Sequence, residues 1–360
     1  MERMKVVSTF SNIGVGEALL HRLGLHVSVA SEMDAKRCQV YRRIYPSSTM
    51  VEGDITDRKV ARRYMDLAAN PFLMIATPPC QGFSSLNNET EKGGKKDARN
   101  DLVRFSMELA AEMAPCYFLF ENVPRVARAF GEGAIEAFAD KVMPGYQVSF
   151  GIVDAADWGT PQTRKRAIAL FSRKDMPKWV LPERRARRKR TVREAIGMFP
   201  TLESGERCDR FHRLHYAGRH SQHHIDWMRH TPTGSSAWKN KDDAHKPHVV
   251  EKDGTTRAIL GFGNTYKRMS WDDPAPTIIQ GCHMVSSSNT VHPGMPRGDG
   301  TWSDARTLSV LECMVLMGLP SWWRLPGDLP YKQAVEMLGE GFCPRVVLGL
   351  VKAIPEIGGG

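Results

Sequence analysis

The sequence predicts an α/β fold: a Rossmann-like, mostly parallel sheet with a second, smaller domain of different character. Three observations predict it. Short apolar runs alternate with helical patterns through the first ~180 residues, which is the mark of βαβ units around a parallel sheet. Composition then shifts at Glu183, and seven of the eleven residues from there to Arg193 are basic. The 360 residues also suit two domains, since a domain takes ~100–200 residues.

Each element follows from its local pattern. Lys5 to Phe10 reads as a strand, followed by a glycine-containing turn and a helix through Leu23. His26 to Ser31 is a second strand, and Asp34 can cap the helix carrying Cys38, Tyr41 and Tyr45. A helix lies near Arg58 to Ala69. Phe72 to Ala76 is a strand with Pro78-Pro79-Cys80 beyond its end. Asp101 to Met113 is helical by pattern, and Tyr117 to Phe120 is a strand with Glu121-Asn122-Val123 standing beyond it. Ala167 to Phe171 closes this region. From 184 to about 304 the chain is polar, weakly periodic and rich in Gly, Pro and His. Helical pattern returns at Ser309 to Met317 and at Arg345 to Ile354, the latter expected to pack back onto the N-terminal strands. The first domain is therefore 1–183 completed by 331–360, and the second is 184–330.

Composition narrows the function classes. Hydrophobic residues at 41% and charged residues at 25% exclude a disordered or fibrous chain. No apolar run approaches the ~20 residues that span a bilayer. Seven cysteines without a CxxC pair argue against a disulfide framework and for an intracellular, cytoplasmic protein. The net charge is +10. Residues 181–310 hold 21 Lys and Arg against 14 Asp and Glu, leaving 29 against 26 elsewhere. The basic excess lies mainly in the second region, which points to a polyanionic partner there.

In an open parallel sheet, ligands bind at the carboxyl ends of the strands, and the informative residues collect there. Phe10 to Gly16 follows the first strand. Glu32 ends the second, eighteen positions after Gly14, close to the spacing of an acid that takes a ribose diol. The glycine fingerprint of dinucleotide sites fails, because Leu19 stands where the third glycine belongs. A nucleoside-bearing ligand without a pyrophosphate fits better than NAD. Cys80, after two prolines at a strand end, is held rigidly at the site, while the other six cysteines default to structure. Glu121 just past four apolar residues is partly desolvated, which suits a proton donor. Arg164 and Arg166 share one face at strand spacing.

Together and in this order, these residues resemble the DNA cytosine-5 methyltransferases. The most specific parts are Pro79-Cys80-Gln81, Glu121-Asn122-Val123 and Gln162-x-Arg164-x-Arg166. Trp271 to Ile278, His292-Pro293, Arg306 to Ser309 with Glu312, and Gly318-Leu319-Pro320 extend it. The resemblance implies the S-adenosylmethionine-dependent methyltransferase fold, with a target-recognition domain at 184–330 and duplex DNA held in a cleft between the lobes. It implies covalent chemistry: the Cys80 thiolate adds to cytosine C6, and C5 then takes the methyl group of S-adenosylmethionine, leaving S-adenosylhomocysteine. Glu121 would bond ring N3 and the exocyclic amine. Arg166, with Arg164 beside it, would neutralise charge on the O2 side, and Asn122 would position the loop carrying Pro79 and Cys80. Phe10, Ile13, Gly14, Glu32, Met33, Asp54, Ile55, Pro79 and Leu102 would form the cofactor pocket. DNA contacts would fall on Gln81, Ser84 and Arg99 in a lid loop, on Gln162, and on Arg184 and Arg185. A flipped base is required, since C5 chemistry is hidden in the stack. The expected protein is a monomer, with a restriction endonuclease as its possible companion in a bacterial or phage-infected cell.

Some residues depart from the family pattern or pull elsewhere. Asn12 and Val15 replace glycines of the first motif, and Glu340 replaces an Asn of the last, which puts the cofactor loop and its closing contact in doubt. Ten of the twelve histidines lie between His212 and His292. Those with Cys208 match no zinc spacing, so no metal is expected. Histidines that charge below about pH 6.5 would tighten DNA binding. Three rivals stay open: a tRNA cytosine-5 methyltransferase of the same fold, a non-catalytic DNA-binding relative, and a nicotinamide dehydrogenase.

Overall fold

Five short strands, each ending where a polar segment begins, set the frame of the first half. They are Val6–Thr9 (β1), Val27–Glu32 (β2), Thr49–Glu52 (β3), Leu73–Ala76 (β4) and Tyr117–Asn122 (β5). Tyr146–Asp154 (β6) and Lys165–Arg173 (β7) follow. The computed structural model describes residues 4–79, 101–125, 137, 140–184, 186–251, 253–259, 263–287 and 289–358. Among them the strands form a seven-stranded sheet in the order β3-β2-β1-β4-β5-β7-β6. β1 to β5 pair in parallel, and β7 runs antiparallel to both β5 and β6.

The helices of the crossovers are Ala35–Ile44 (α1), Arg58–Leu67 (α2) and Asp101–Met113 (α3). Asp34 caps α1 by accepting from the Arg37 amide, and Asp57 caps α2 by accepting from Lys59 and Val60, each satisfying donors a helix start leaves unpaired. One sheet face, with Val7, Val29, Met74, Phe118 and Phe171, packs on Tyr64 and Ala68 and on Val103, Met107 and Ala110 of α3. Alternate residues point the other way. There the Tyr117 ring meets Trp179 edge-on at 5.8 Å, and the Trp179 indole donates to Leu350 O. The helix Pro344–Lys352 covers this side and packs on the 3-10 helix Gly16–Leu23. Gly349 is required by the contact, because a Cβ there would lie 2.2 Å from the Trp158 ring.

Contacts divide the chain into two compact units. One comprises 1–158, 165–185 and 342–360, the other 159–164 and 186–341. The second unit has little regular structure: Val192–Ile196 (α4), Gln222–Arg229 (α5), the hairpin His248–Val250 (β8) and Thr256–Ala258 (β9), Val310–Leu316 (α6) and Tyr331–Gly339 (α7). A buried charge network holds it. Arg306 makes two bonds to Glu312 (2.8 and 3.0 Å) and one to Asp304 (2.6 Å). Arg268 donates to the carbonyls of Met228, His292, Ser303 and Asp304. All four charged groups are fully buried, and burial is tolerable only because each is paired.

Two assignments from sequence differ here. Residues 331–341, expected with the first domain, pack in the second unit: α7 lies against Gln280–His283, and a Cβ on Gly339 would sit 2.3 Å from the Ile279 backbone. Residues 159–164 also belong to the second unit.

Candidate active site

Parallel pairing brings the carboxyl ends of β1, β2, β4 and β5 to one edge of the first unit. Antiparallel β7 delivers its first residues to that same edge, since Asn122 at the end of β5 stands opposite Ala167. Arg166 Nε therefore meets Glu121 Oε1 at 2.7 Å, with both side chains largely buried. Glu121 and Asn122 are the last residues of β5 rather than residues beyond it, because pairing with β7 extends the strand. Asn122 Oδ1 accepts from the Val123 amide, and its Nδ2 donates to Pro78 O at 3.2 Å. Thr77 Oγ1 donates to Phe10 O at 3.1 Å, so the segments after β1, β4 and β5 are joined.

The turn after β1 has the shape a close-approaching ligand needs. Phe10, Asn12 and Gly14 all have positive φ (55°, 48° and 73°). Asn is the non-glycine residue that accepts this region most readily, so Asn12 keeps a bend that glycine makes elsewhere in the family pattern. Val15 is ordinary right-handed backbone and buried. Glu32 accepts from the amides of Asn12 (2.9 Å, Oε2), Met33 (2.9 Å, Oε1) and Asp34 (3.0 Å, Oε1). Three donors fix the carboxylate at the end of β2 and leave Oε2 able to take another.

The remaining cofactor candidates spread around this edge. Met33 is 68% exposed, while Ile13 is fully buried. Asp54 holds its turn by accepting from Thr56 N and Oγ1, and the Ile55 side chain lies in the sheet core. Pro79 is exposed and Leu102 half-buried on α3. Cys80, Gln81, Ser84, Arg99 and Arg185 lie outside the described residues. Arg184 is exposed and stacks over Trp158 at 5.3 Å.

Two sequence assignments are corrected. Gln162 is fully buried: its amide donates to Leu316 O and accepts from Ile278 N, so it is a strut of the second unit and not a DNA contact. Arg164 does not share a strand face with Arg166, because β7 begins at Lys165. Its guanidinium is buried on Ile278 O (2.6 Å) and Gly339 O (3.0 Å) in the second unit. The histidines are corrected in part. Burial holds His220, His224 and His292 down to about 4, so these three stay neutral through pH 6. His215 uses both nitrogens, on Ser309 Oγ and Pro200 O. Asp226, His230 and His245 stand close together, with one ligand atom of each within 4.8 Å of the others, and the two rings stack nearly parallel, 3.4 Å apart at 8°. Glu340 is an exposed cap of α7.

Two features were missed from sequence. The strand β3 has only Met50 and Val51 as apolar residues, whereas β6 was readable from its alternation Tyr146, Val148, Phe150, Ile152 and was overlooked; both lie at sheet edges. Glu17 went unnoticed, although an acid directly before the apolar run Ala18-Leu19-Leu20 is a usable signal.

A sheet of this topology, with an oriented acid after β2 and a tight glycine turn after β1, defines the S-adenosylmethionine-dependent methyltransferase fold. Solved structures agree. The chain superposes over 99% of its length, with a TM-score of 0.68 and 18% identity, on all of a protein described as a DNA modification methyltransferase encoded within an E. coli prophage. The S. pombe Dnmt2 methyltransferase matches 98% of the chain and 99% of its own, with a TM-score of 0.61 and 16% identity. By sequence, the Type II methyltransferase M1.HgaI of Avibacterium volantium is 37% identical over 97% of both chains. The profile of the C-5 cytosine-specific DNA methylases matches residues 4–356, and the chain belongs to that family, as a DNA (cytosine-5)-methyltransferase.

Proposed function

We propose that this enzyme methylates C5 of a cytosine flipped from duplex DNA at a short specific sequence, using Cys80 as nucleophile and S-adenosylmethionine as donor. The observation that carries the reading is the Glu121–Arg166 pair at the end of β5, with Asn122 bonded to Pro78, two residues before Cys80. The thiolate of Cys80 adds to C6, and the electron pair of the C5–C6 double bond makes C5 nucleophilic. Glu121 meets N3 and the exocyclic amine with the oxygen that Arg166 does not occupy, and delivers the proton to N3. Arg166 keeps Glu121 oriented and offsets charge developing on the O2 side. After methyl transfer a water takes the C5 proton, its electron pair re-forms the C5–C6 double bond as the C6–S pair leaves on the Cys80 thiolate, and N3 returns its proton to Glu121.

The residues present fit the cofactor. Glu32, fixed by three amides, is an acceptor for a ribose diol, and Phe10 and Met33 offer apolar surface to an adenine. S-adenosylmethionine, when bound, supplies the electrophilic methyl carbon. The basic excess of 181–310 suits phosphate neutralisation by the target-recognition region. A Type II relative supports a restriction endonuclease companion, with the enzyme acting as a monomer in the cytoplasm. No helix among the described residues is long and apolar enough to cross a membrane.

Bisulfite sequencing of a genome from cells expressing the chain tests this reading. Converted-resistant cytosines should fall in one short sequence context and vanish with C80A. Methyl transfer to tRNA rather than to duplex DNA, or wild-type rates in C80A, would overturn it.

A further inference from the structure

We infer that Glu17 is a positioning residue for the cofactor turn: through Tyr41 and Tyr45 it sets the backbone of Gly14, and with it the affinity for S-adenosylmethionine. This rests on the cofactor reading given above. The chain of contacts is short. Tyr41 Oη donates to Glu17 Oε2 at 2.5 Å. The Tyr41 and Tyr45 rings lie 4.9 Å apart. Tyr45 Oη donates to Gly14 O at 2.6 Å, and the Glu17 amide reaches the same carbonyl at 3.2 Å. Both rings press on Gly14 from the α1 side. A Cβ there would lie 2.3 Å from Tyr45 Cε2 and 2.9 Å from Tyr41 Cε2.

The acid has no need to be at this place for folding alone. Glu17 is buried in the first turn of the 3-10 helix, beside the buried Ala18, Leu19 and Leu20. Burial drives its carboxyl up to about 7, against the opposing bonds from Tyr41 and Ser8. Ser8 in turn accepts from Ser11, within the turn itself. A buried acid that loses its partners is costly, so Glu17 fixes the hydroxyl of Tyr41, and the Tyr45 ring, tilted at 43° against Tyr41, is held by that contact. The turn then presents the same backbone to every incoming nucleoside, and little ordering remains to be done on binding.

The test is calorimetric titration of the full chain with S-adenosylmethionine, joined to steady-state kinetics. E17A should weaken binding about tenfold, the effect of one lost bond of ordinary strength. Its kcat at saturating cofactor and its KM for DNA should stay within about twofold of wild type. E17Q keeps an acceptor for Tyr41 and should restore affinity to within about twofold. Y45F, which removes the bond to Gly14 O, should weaken cofactor binding in the same sense and keeps the test open should E17A fail to fold. Wild-type affinity in E17A or Y45F, an E17Q no better than E17A, or an equal fall in kcat and both affinities would overturn the proposal. E32A separates the two readings. If E32A binds normally, the cofactor site itself is wrong; if E32A fails to bind and E17A binds as wild type, only the role of Glu17 falls.

Discussion

The two units keep polar groups out of water by opposite means. In the first, the sheet satisfies the backbone, and Glu32, Glu121 and Asn122 stand at strand ends, held by amides or by one arginine. In the second, arginine side chains replace the missing ladders. Arg268 serves four carbonyls, and Arg306 joins two carboxylates to Leu202 O. The first arrangement leaves functional groups at a rim. The second spends its charges internally, so buried charge there is structural.

The largest test of this contrast is Arg306. R306A would leave Glu312 and Asp304 buried without their cation, and the expected loss is about 3–5 kcal/mol, read from the urea midpoint. A loss below about 1 kcal/mol would show that the network is ornamental.

Acid and base should act on the units in opposite directions. Glu17 titrates at about 7 in the fold against an ordinary 4.5. The fold then holds a proton that the unfolded chain has lost, and stability falls as pH rises from 4.5 to 7, by about 3 kcal/mol in all. His220 is held down to about 4 against 6.5, first by its burial and then by the neighbouring His224, Arg306 and His283. There stability falls as pH drops from 6.5 to 4. Thermal melts should show E17Q gaining on wild type as pH rises, and H220Q gaining as pH falls. Parallel pH curves for the three proteins would refute the contrast.

The smallest effect concerns α6. Ser309 Oγ accepts from the Glu312 amide, and Glu312 accepts from the Ser309 amide at 2.7 Å. S309A removes one half of this capping box and the partner of buried His215 Nδ1, and should cost about 2 kcal/mol, visible as a fall in the urea midpoint with activity retained.

Legibility from sequence followed the same division. Apolar strands with period two or continuous burial announced β1, β2, β4, β5 and β7, and Asp34 announced its helix. The placement of Glu121, Arg166 and Glu32 at the rim was legible as well, because they stand at strand ends where spacing is readable. Arg164 and Gln162 were misread because two residues of sequence separate a strand from a crossing between units. Nothing local distinguishes an arginine that meets a base from one that meets carbonyls more than a hundred positions away. Apart from α6, which the pattern at Ser309 to Met317 announced, the second unit stayed closed to prediction for that reason: long-range carbonyl partners leave no periodicity.

The packing of the helix Pro344–Lys352 on the 3-10 helix Gly16–Leu23 has a temporal meaning. These segments lie more than three hundred positions apart in the chain, yet the second backs directly onto the turn that follows β1. A ribosome must deliver the whole intervening stretch, including the basic second unit, before that turn gains its backing. The nascent polypeptide therefore carries the basic stretch 181–310 well before the turn after β1 is backed, and completion of the first unit waits on the late helix.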